Sequence, residues 1–155
     1  MNNPIKLVVA LILPQLAGAI GSFFTAPAID SWYINLNKPS FNPPSWVFGP
    51  VWITLYILMG IAMYLIWVMP KSKTRDTALA IYLAQLVLNS LWSIVFFGWQ
   101  SIGLAFGVIV ILLVLVLIIT IKFHQLKKIA GYLLVPYFLW GAFATILNGA
   151  IWYLN

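Results

Sequence analysis

Five stretches of about twenty apolar residues each govern what this chain can become. They cover residues 5–25, 46–69, 77–99, 102–122 and 129–154. A helix needs about 20 predominantly apolar residues to cross roughly 30 Å of hydrocarbon. In lipid it must also satisfy its backbone hydrogen bonds within itself. The sequence therefore predicts an all-α membrane protein, a single five-transmembrane-helix domain over residues 1–155. Composition closes the soluble alternative. Only 6% of the residues are charged, against about 25% in an ordinary globular domain, so the chain cannot clothe itself in a polar surface. The first stretch precedes Ala26-Pro27-Ala28, which resembles a signal-peptidase site. Its apolar run from Leu7 to Phe24 exceeds a signal-peptide core of about 7–15 residues, and it is read as a retained helix.

Orientation follows from the basic residues. With the N-terminus in the cytoplasm, that side holds Lys6, Lys71, Lys73, Arg75, Lys122, Lys127 and Lys128, and the opposite side only Lys38. Seven against one is a strong positive-inside bias. It predicts a multi-pass protein of the cell (plasma) membrane, N-terminus cytoplasmic and C-terminus outside. The formal charge of +6 is thereby explained. The basic residues form no patch for a nucleic acid, and none is expected as a partner. Trp32, Trp46, Trp99 and Trp152 would sit at the outer interface and Trp67 at the inner one, as an aromatic belt.

Little chemistry is open to such a chain. It has no Cys and no Glu; its acids are Asp30 and Asp76, and its one histidine is His124. Thiolate and paired-carboxylate catalysis, hydrolytic triads and clustered metal ligands are excluded, so no metal and no resident cofactor are expected. No ionisable residue lies deep in a span, which argues against proton or ion coupling.

Two features stand out from this apolar background. The first outer loop, residues 26–45, carries Trp32-Tyr33, Pro39 and Pro43-Pro44. A long loop stiffened by prolines reads as a lid. The second feature is a set of three tryptophans too deep for the interface. At 1.5 Å per residue, Trp52, Trp92 and Trp140 lie roughly 9, 10 and 18 Å below the outer helix ends. Each belongs to a stripe at helical spacing: Trp52, Tyr56, Met59, Gly60 and Met63; Gln85, Asn89 and Trp92; Tyr137, Trp140, Ala144 and Asn148. Amides are costly against lipid, so Asn89 and Asn148 turn their stripes inward. Three inward aromatic stripes with small residues describe either a tightly packed core or a flat cavity under the lid. Gly103/Gly107 and Ala80/Ala84 are small-residue pairs that suit either a dimer seam or a close contact within the chain.

The run Trp32-Tyr33 … Lys38-Pro39-Ser40-Phe41-Asn42-Pro43-Pro44-Ser45-Trp46-Val47-Phe48-Gly49-Pro50-Val51-Trp52, continuing through Leu55-Tyr56 and Met59-Gly60, resembles the signature of the translocator proteins. These are also called tryptophan-rich sensory proteins or peripheral-type benzodiazepine receptors. Gln85-Leu86 … Leu88-Asn89 … Trp92 … Phe96-Phe97 is similar to the family's third-helix motif. Pro136-Tyr137 … Trp140 … Phe143-Ala144-Thr145 … Leu147-Asn148 is similar to its fifth-helix motif.

The resemblance implies a five-helix bundle, commonly a homodimer, with a ligand pocket in the half closed by the first loop. It implies a receptor for porphyrins such as protoporphyrin IX and for benzodiazepine-receptor ligands, with light- and oxygen-dependent porphyrin breakdown in bacterial members. The alternative is a transporter of tetrapyrroles or other lipophiles. Carried over by motif position, the pocket residues are Tyr33, Pro43, Trp52, Tyr56, Asn89, Trp92, Trp140 and Ala144, with Trp52 and Trp140 matching the pair tied to porphyrin degradation. Tyr137 and Asn148, on the same fifth-helix stripe, complete the expected ligand-binding set. A porphyrin would enter as ligand or substrate, and membrane lipid would be the surrounding partner. One departure is plain: where animal members carry Tyr and Arg in the sterol segment, this chain has Gly149 and Tyr153. Cholesterol transport is not carried over.

Overall fold

A computed structural model describes residues 3–155. Five helices, each long and apolar enough to cross a membrane, account for most of it: α1 (Pro4–Ile29), α2 (Ser45–Trp67), α3 (Lys73–Ser93), α4 (Ile102–Leu126) and α5 (Lys128–Leu154). A π-helical turn, Ile94–Gly98, extends α3.

Their ends follow local chemistry. The Asn3 side chain accepts from the Lys6 amide ahead of Pro4, which occupies the first helical turn where its missing N–H costs nothing. Ser72 caps α3 in the same way through the Arg75 amide. Asp76 lies in that first turn, where the helix dipole favours an anion, and ion-pairs with Arg75 at 2.7 Å. Gln100 turns the chain between α3 and α4 with φ 54°, the left-handed region. Lys127 alone is extended between α4 and α5. The basic connection there is thus shorter than the spans suggest, and Lys122 and His124 belong to α4. The His124 ring packs edge-on against Tyr132, 5.1 Å away. At the other end α1 runs past Thr25 to Ile29, so the first loop is residues 30–44. Its helix end is closed by Ser31 Oγ donating to the Pro27 carbonyl and by the Trp32 amide donating to Ala28.

The helices close into a ring in the spatial order α1, α2, α5, α4, α3. Its outer surface is a continuous apolar belt, with Ile5, Ile12, Leu16, Ile20 and Phe23 of α1 and Leu104, Ile111, Val114 and Ile121 of α4 exposed. A belt of that extent needs a lipid or protein cover. Inside, the half nearest the basic ends is solid. Tyr82 stacks on Phe123 with ring centroids 5.7 Å apart, and Met59, Ile66, Ile119 and Leu134 are fully buried around them.

Two glycines set helix spacing. A Cβ on Gly60 would fall 2.7 Å from the Ala10 carbonyl oxygen and 2.9 Å from the Leu11 Cα. Pro14 supplies no N–H to that carbonyl, and α2 comes into backbone contact with α1 there. A Cβ on Gly131 would collide with the backbone of His124 at the α4–α5 corner.

Candidate ligand-binding site

The other half of the ring is hollow. Between α1, α2, α3 and α5, under the first loop, lies a cavity of about 590 Å³. α4 supplies none of its wall among the described residues. The space is bordered by Trp52 on α2, Trp92 on α3 and Trp140 on α5, the three deep indoles, so the open alternative from the sequence resolves as a cavity rather than solid packing.

The loop, which reaches the cavity through Tyr33, is built rather than slack. Lys38 folds back so that its Nζ donates to the carbonyls of Tyr33 (2.8 Å), Leu36 (3.0 Å) and Ile34 (3.2 Å), and its ammonium sits 4.9 Å from the Tyr33 ring. A charged donor with three carbonyl acceptors is strongly held. Tyr33 Oη donates to Asn42 Oδ1 at 2.9 Å. Burial pushes the Tyr33 phenol above its usual pKa, and that hydrogen bond opposes the shift. Asn37 and Asn155 clasp each other: the Asn37 amide donates to Asn155 Oδ1 and Asn155 Nδ2 donates to the Asn37 carbonyl. Beneath, Trp32 meets Phe96 edge-on at 5.6 Å and Tyr33 leans on Phe97 at 5.7 Å. Trp32, expected at the interface, is half-buried under the loop because these phenylalanines offer it an aromatic seat. Trp46, Trp99 and Trp152 remain exposed at the loop end of the ring.

Of the residues anticipated from sequence, Tyr33, Trp52, Tyr56, Asn89, Trp92, Trp140, Ala144 and Asn148 border the cavity. Two do not. Pro43 is half-buried in the loop beside Asn42, whose Nδ2 donates to its carbonyl, and shapes the lid from outside. Tyr137 lies behind the wall, 1% exposed, and hydrogen-bonds to Gln85 and Asn89.

The polar groups serve the wall first. Trp92 Nε1 donates to Asn148 Oδ1 at 2.9 Å, and Asn148 Nδ2 donates to the Ile102 carbonyl at 3.0 Å. Asn148 thus ties α3, α5 and the start of α4 together, rather than reaching freely for a ligand edge. Tyr56 Oη donates to Asn89 Oδ1 at 2.8 Å, and Asn89 Nδ2 donates to Tyr137 Oη at 3.1 Å. The Trp140 Nε1, by contrast, is buried without a partner. Aromatic faces dominate the rest: Trp52 stacks on Tyr56 (5.4 Å, 28° between planes), and Phe48 meets Trp140 edge-on at 5.9 Å.

A whole side of the cavity escaped the sequence reading. Gln15, Gly18, Ser22, Thr25 and Ile29 of α1 form a wall facing the indoles. They recur every three or four residues, and all but Ile29 are glycine, hydroxyl or amide residues on an otherwise apolar helix; that spacing was the available signal. Gly18 is there for clearance, since a Cβ would sit 2.3 Å from the Tyr56 ring. Phe48, Phe96 and Phe97, quoted only as part of motifs, also line the space.

The arrangement can hold a flat, largely apolar molecule between aromatic faces and offer it a few hydrogen bonds. Cavities of about 300–1,000 Å³ with apolar walls and sparse polar groups are typical small-molecule sites. Residues 10–154 match the TspO/MBR family. The chain is 43% identical to the tryptophan-rich protein TspO of Archaeoglobus fulgidus over 154 residues, 99% of each chain. It is 42% identical to the tryptophan-rich sensory protein of Cereibacter sphaeroides over 149 residues, 94% of this chain and 92% of that one. To the translocator protein of Homo sapiens it is 38% identical over 143 residues, 91% of this chain and 85% of that one.

Proposed function

Because the chain belongs to the TspO/MBR family, we propose that it is a membrane receptor for tetrapyrroles of the protoporphyrin IX kind and for benzodiazepine-receptor-type ligands. It is a multi-pass membrane protein. In this reading it resides in the plasma membrane with the basic ends of its helices in the cytoplasm and the loop outside, following the charge bias. It works as a homodimer, for which the exposed α3 stripe Ala80, Leu83, Ala84 and Val87 offers a face of small and apolar residues.

The observation that carries the reading is the lidded cavity of about 590 Å³ with an indole on three of its four helical walls. A flat macrocycle slots between such faces by stacking on the rings of Trp52, Trp92 and Trp140. Under illumination, an excited porphyrin held against Trp52 or Trp140 takes one electron from the indole and hands it to oxygen, leaving an oxidised indole and superoxide. The oxidised indole recovers its electron from the porphyrin, and superoxide adds to the porphyrin radical cation so formed; in this reading the macrocycle is oxygenated in light and oxygen while the indole is restored.

The test of binding is a titration with protoporphyrin IX followed by tryptophan fluorescence. Saturable quenching at one equivalent per chain is expected, with affinity weakened by Trp140→Phe, which shrinks one of the stacking faces and keeps an aromatic ring. Absence of saturation would dismiss the receptor reading. The relatives' names include both sensory protein and translocator, and the second reading, a transporter of tetrapyrroles, predicts accumulation of porphyrin inside sealed proteoliposomes, where a receptor only binds.

A further inference from the structure

Behind the cavity wall, four side chains from three helices make one hydrogen-bonded chain. Tyr56 Oη donates to Asn89 Oδ1 (2.8 Å), Asn89 Nδ2 to Tyr137 Oη (3.1 Å), and Tyr137 Oη to Gln85 Oε1 (2.7 Å). Tyr56 and Asn89 border the cavity; Tyr137 and Gln85 do not. The chain ends on an anomaly. Gln85 is fully buried, and its Nε2, with two donor hydrogens, has no partner. An orphaned amide in so apolar a place calls for an explanation.

The chain as it stands has a direction. Every hydrogen points from the cavity inward, so the Tyr56 oxygen has only lone pairs left for a ligand. Hydroxyls donate and accept, and a carboxamide turned by 180° exchanges its oxygen and nitrogen with almost no change of shape. Reversal therefore needs only two amide turns and two hydroxyl rotations. Gln85 Nε2 then donates to Tyr137 Oη, Tyr137 donates to Asn89 Oδ1, and Asn89 Nδ2 donates to Tyr56, whose own hydrogen is released toward the cavity. The number of bonds within the chain is unchanged. Only the ends differ: the orphan at Gln85 changes from an amine to a carbonyl, and the group shown to the cavity changes from acceptor to donor. Had Gln85 Nε2 been bonded elsewhere, reversal would break that bond and the direction would be locked.

We infer that Tyr56, Asn89, Tyr137 and Gln85 form a reversible relay that lets the cavity wall present either an acceptor or a donor to its ligand, with Gln85 as the positioning residue that leaves both directions open. The inference rests on the reading of the cavity as a ligand site. Such a relay lets a largely apolar pocket accept ligands of opposite edge polarity without moving its rings.

The test uses the full-length protein in detergent or nanodiscs. Gln85→Met keeps the length of the side chain but removes the amide, and Gln85→Leu removes even the thioether. Tyr137 then finds its acceptor only at Asn89 Oδ1, which fixes the reversed direction and keeps the Tyr56 hydrogen facing the cavity. The first readout needs no ligand: the phenol C–O stretch of Tyr56, identified by its loss in Tyr56→Phe, reports whether that hydroxyl donates. It is expected to show a phenol that donates to Asn89 in the parent protein and one that accepts from Asn89 in both Gln85 variants.

The second readout uses two flat tricycles, acridine (acceptor only) and carbazole (donor only), at mildly alkaline pH. The parent binds both. The variants lose carbazole by about tenfold, the effect of an unmet donor, and keep acridine. In a Tyr137→Phe background, Gln85→Met adds nothing to the ratio. An unchanged Tyr56 band, or equal weakening of both tricycles, overturns the relay. If neither tricycle binds the parent, the cavity reading fails on that count, and the band alone still decides the relay.

Discussion

Asn148 shows how a side chain whose position is legible in sequence takes on a structural duty that is not. Its place on the α5 stripe predicts an inward amide, and the cavity border includes it. Its atoms, however, are engaged by Trp92 Nε1 and the Ile102 carbonyl, which makes it a strut. Periodicity reports the face a residue occupies, whereas the partners of an amide depend on which neighbouring helix supplies a free carbonyl. Ile102 does so as the first residue of α4. Asn148→Leu leaves the half-buried Trp92 N–H without its acceptor and the Ile102 carbonyl without its donor, a cost of about 1 kcal/mol. A lower melting temperature in detergent checks this, with Asn148→Asp retaining more of the stability only in acidic buffer, where a neutral carboxyl both accepts from Trp92 and donates to the Ile102 carbonyl. At the same scale, Trp52→Phe and Trp140→Phe keep a ring and remove the indole. Each is expected to slow light-dependent porphyrin loss several-fold while binding falls less; unchanged photolysis in both would refute the redox role.

Among the elements, the five spans were legible because lipid imposes one length on every helix that crosses it. The stiff first loop was legible from its prolines and aromatics. α1 as a wall was not. Its face toward the cavity is made of Gln15, Gly18, Ser22 and Thr25, residues too small and too mild to stand out beside the indoles. Their smallness is what leaves the space. Gly18→Val therefore pushes into the Tyr56 ring and is expected to reduce porphyrin affinity by tenfold or more, about 1.4 kcal/mol, with the fold retained. Quenching titration beside circular dichroism separates the two. Gly60→Val acts differently, since it strikes the backbone of α1 at Ala10 and Leu11. Backbone cannot step aside as a side chain does, and a destabilisation of about 1–3 kcal/mol or more is expected, seen as lost thermal stability. In the loop, Lys38→Met removes three hydrogen bonds to carbonyls at once. It should raise amide hydrogen exchange across residues 30–44 and speed ligand dissociation.

The whole molecule divides its labour along the membrane normal. Near the basic ends, Tyr82, Phe123, Ile66 and Leu134 fill the ring completely. Toward the loop the same ring is held open by aromatic pairs that brace one another, Trp52 on Tyr56 and Trp92 on Phe96, while α4 buttresses from behind. The solid half supplies rigidity, and the hollow half offers pre-formed aromatic faces, so binding requires little reorganisation of the walls. Composition alone pointed to a membrane protein, but whether the inward rings met or stood apart depended on the residues opposite them, which only the assembled ring reveals. The central claim is that this hollow is the ligand site. A crystal or electron cryo-microscopy structure of the protein with protoporphyrin IX tests it most directly. Macrocycle density next to Tyr33, flanked by the rings of Trp52, Trp92 and Trp140, is the expected result; density confined to the lipid-facing belt, with the cavity unchanged, would place the ligand elsewhere and overturn the assignment.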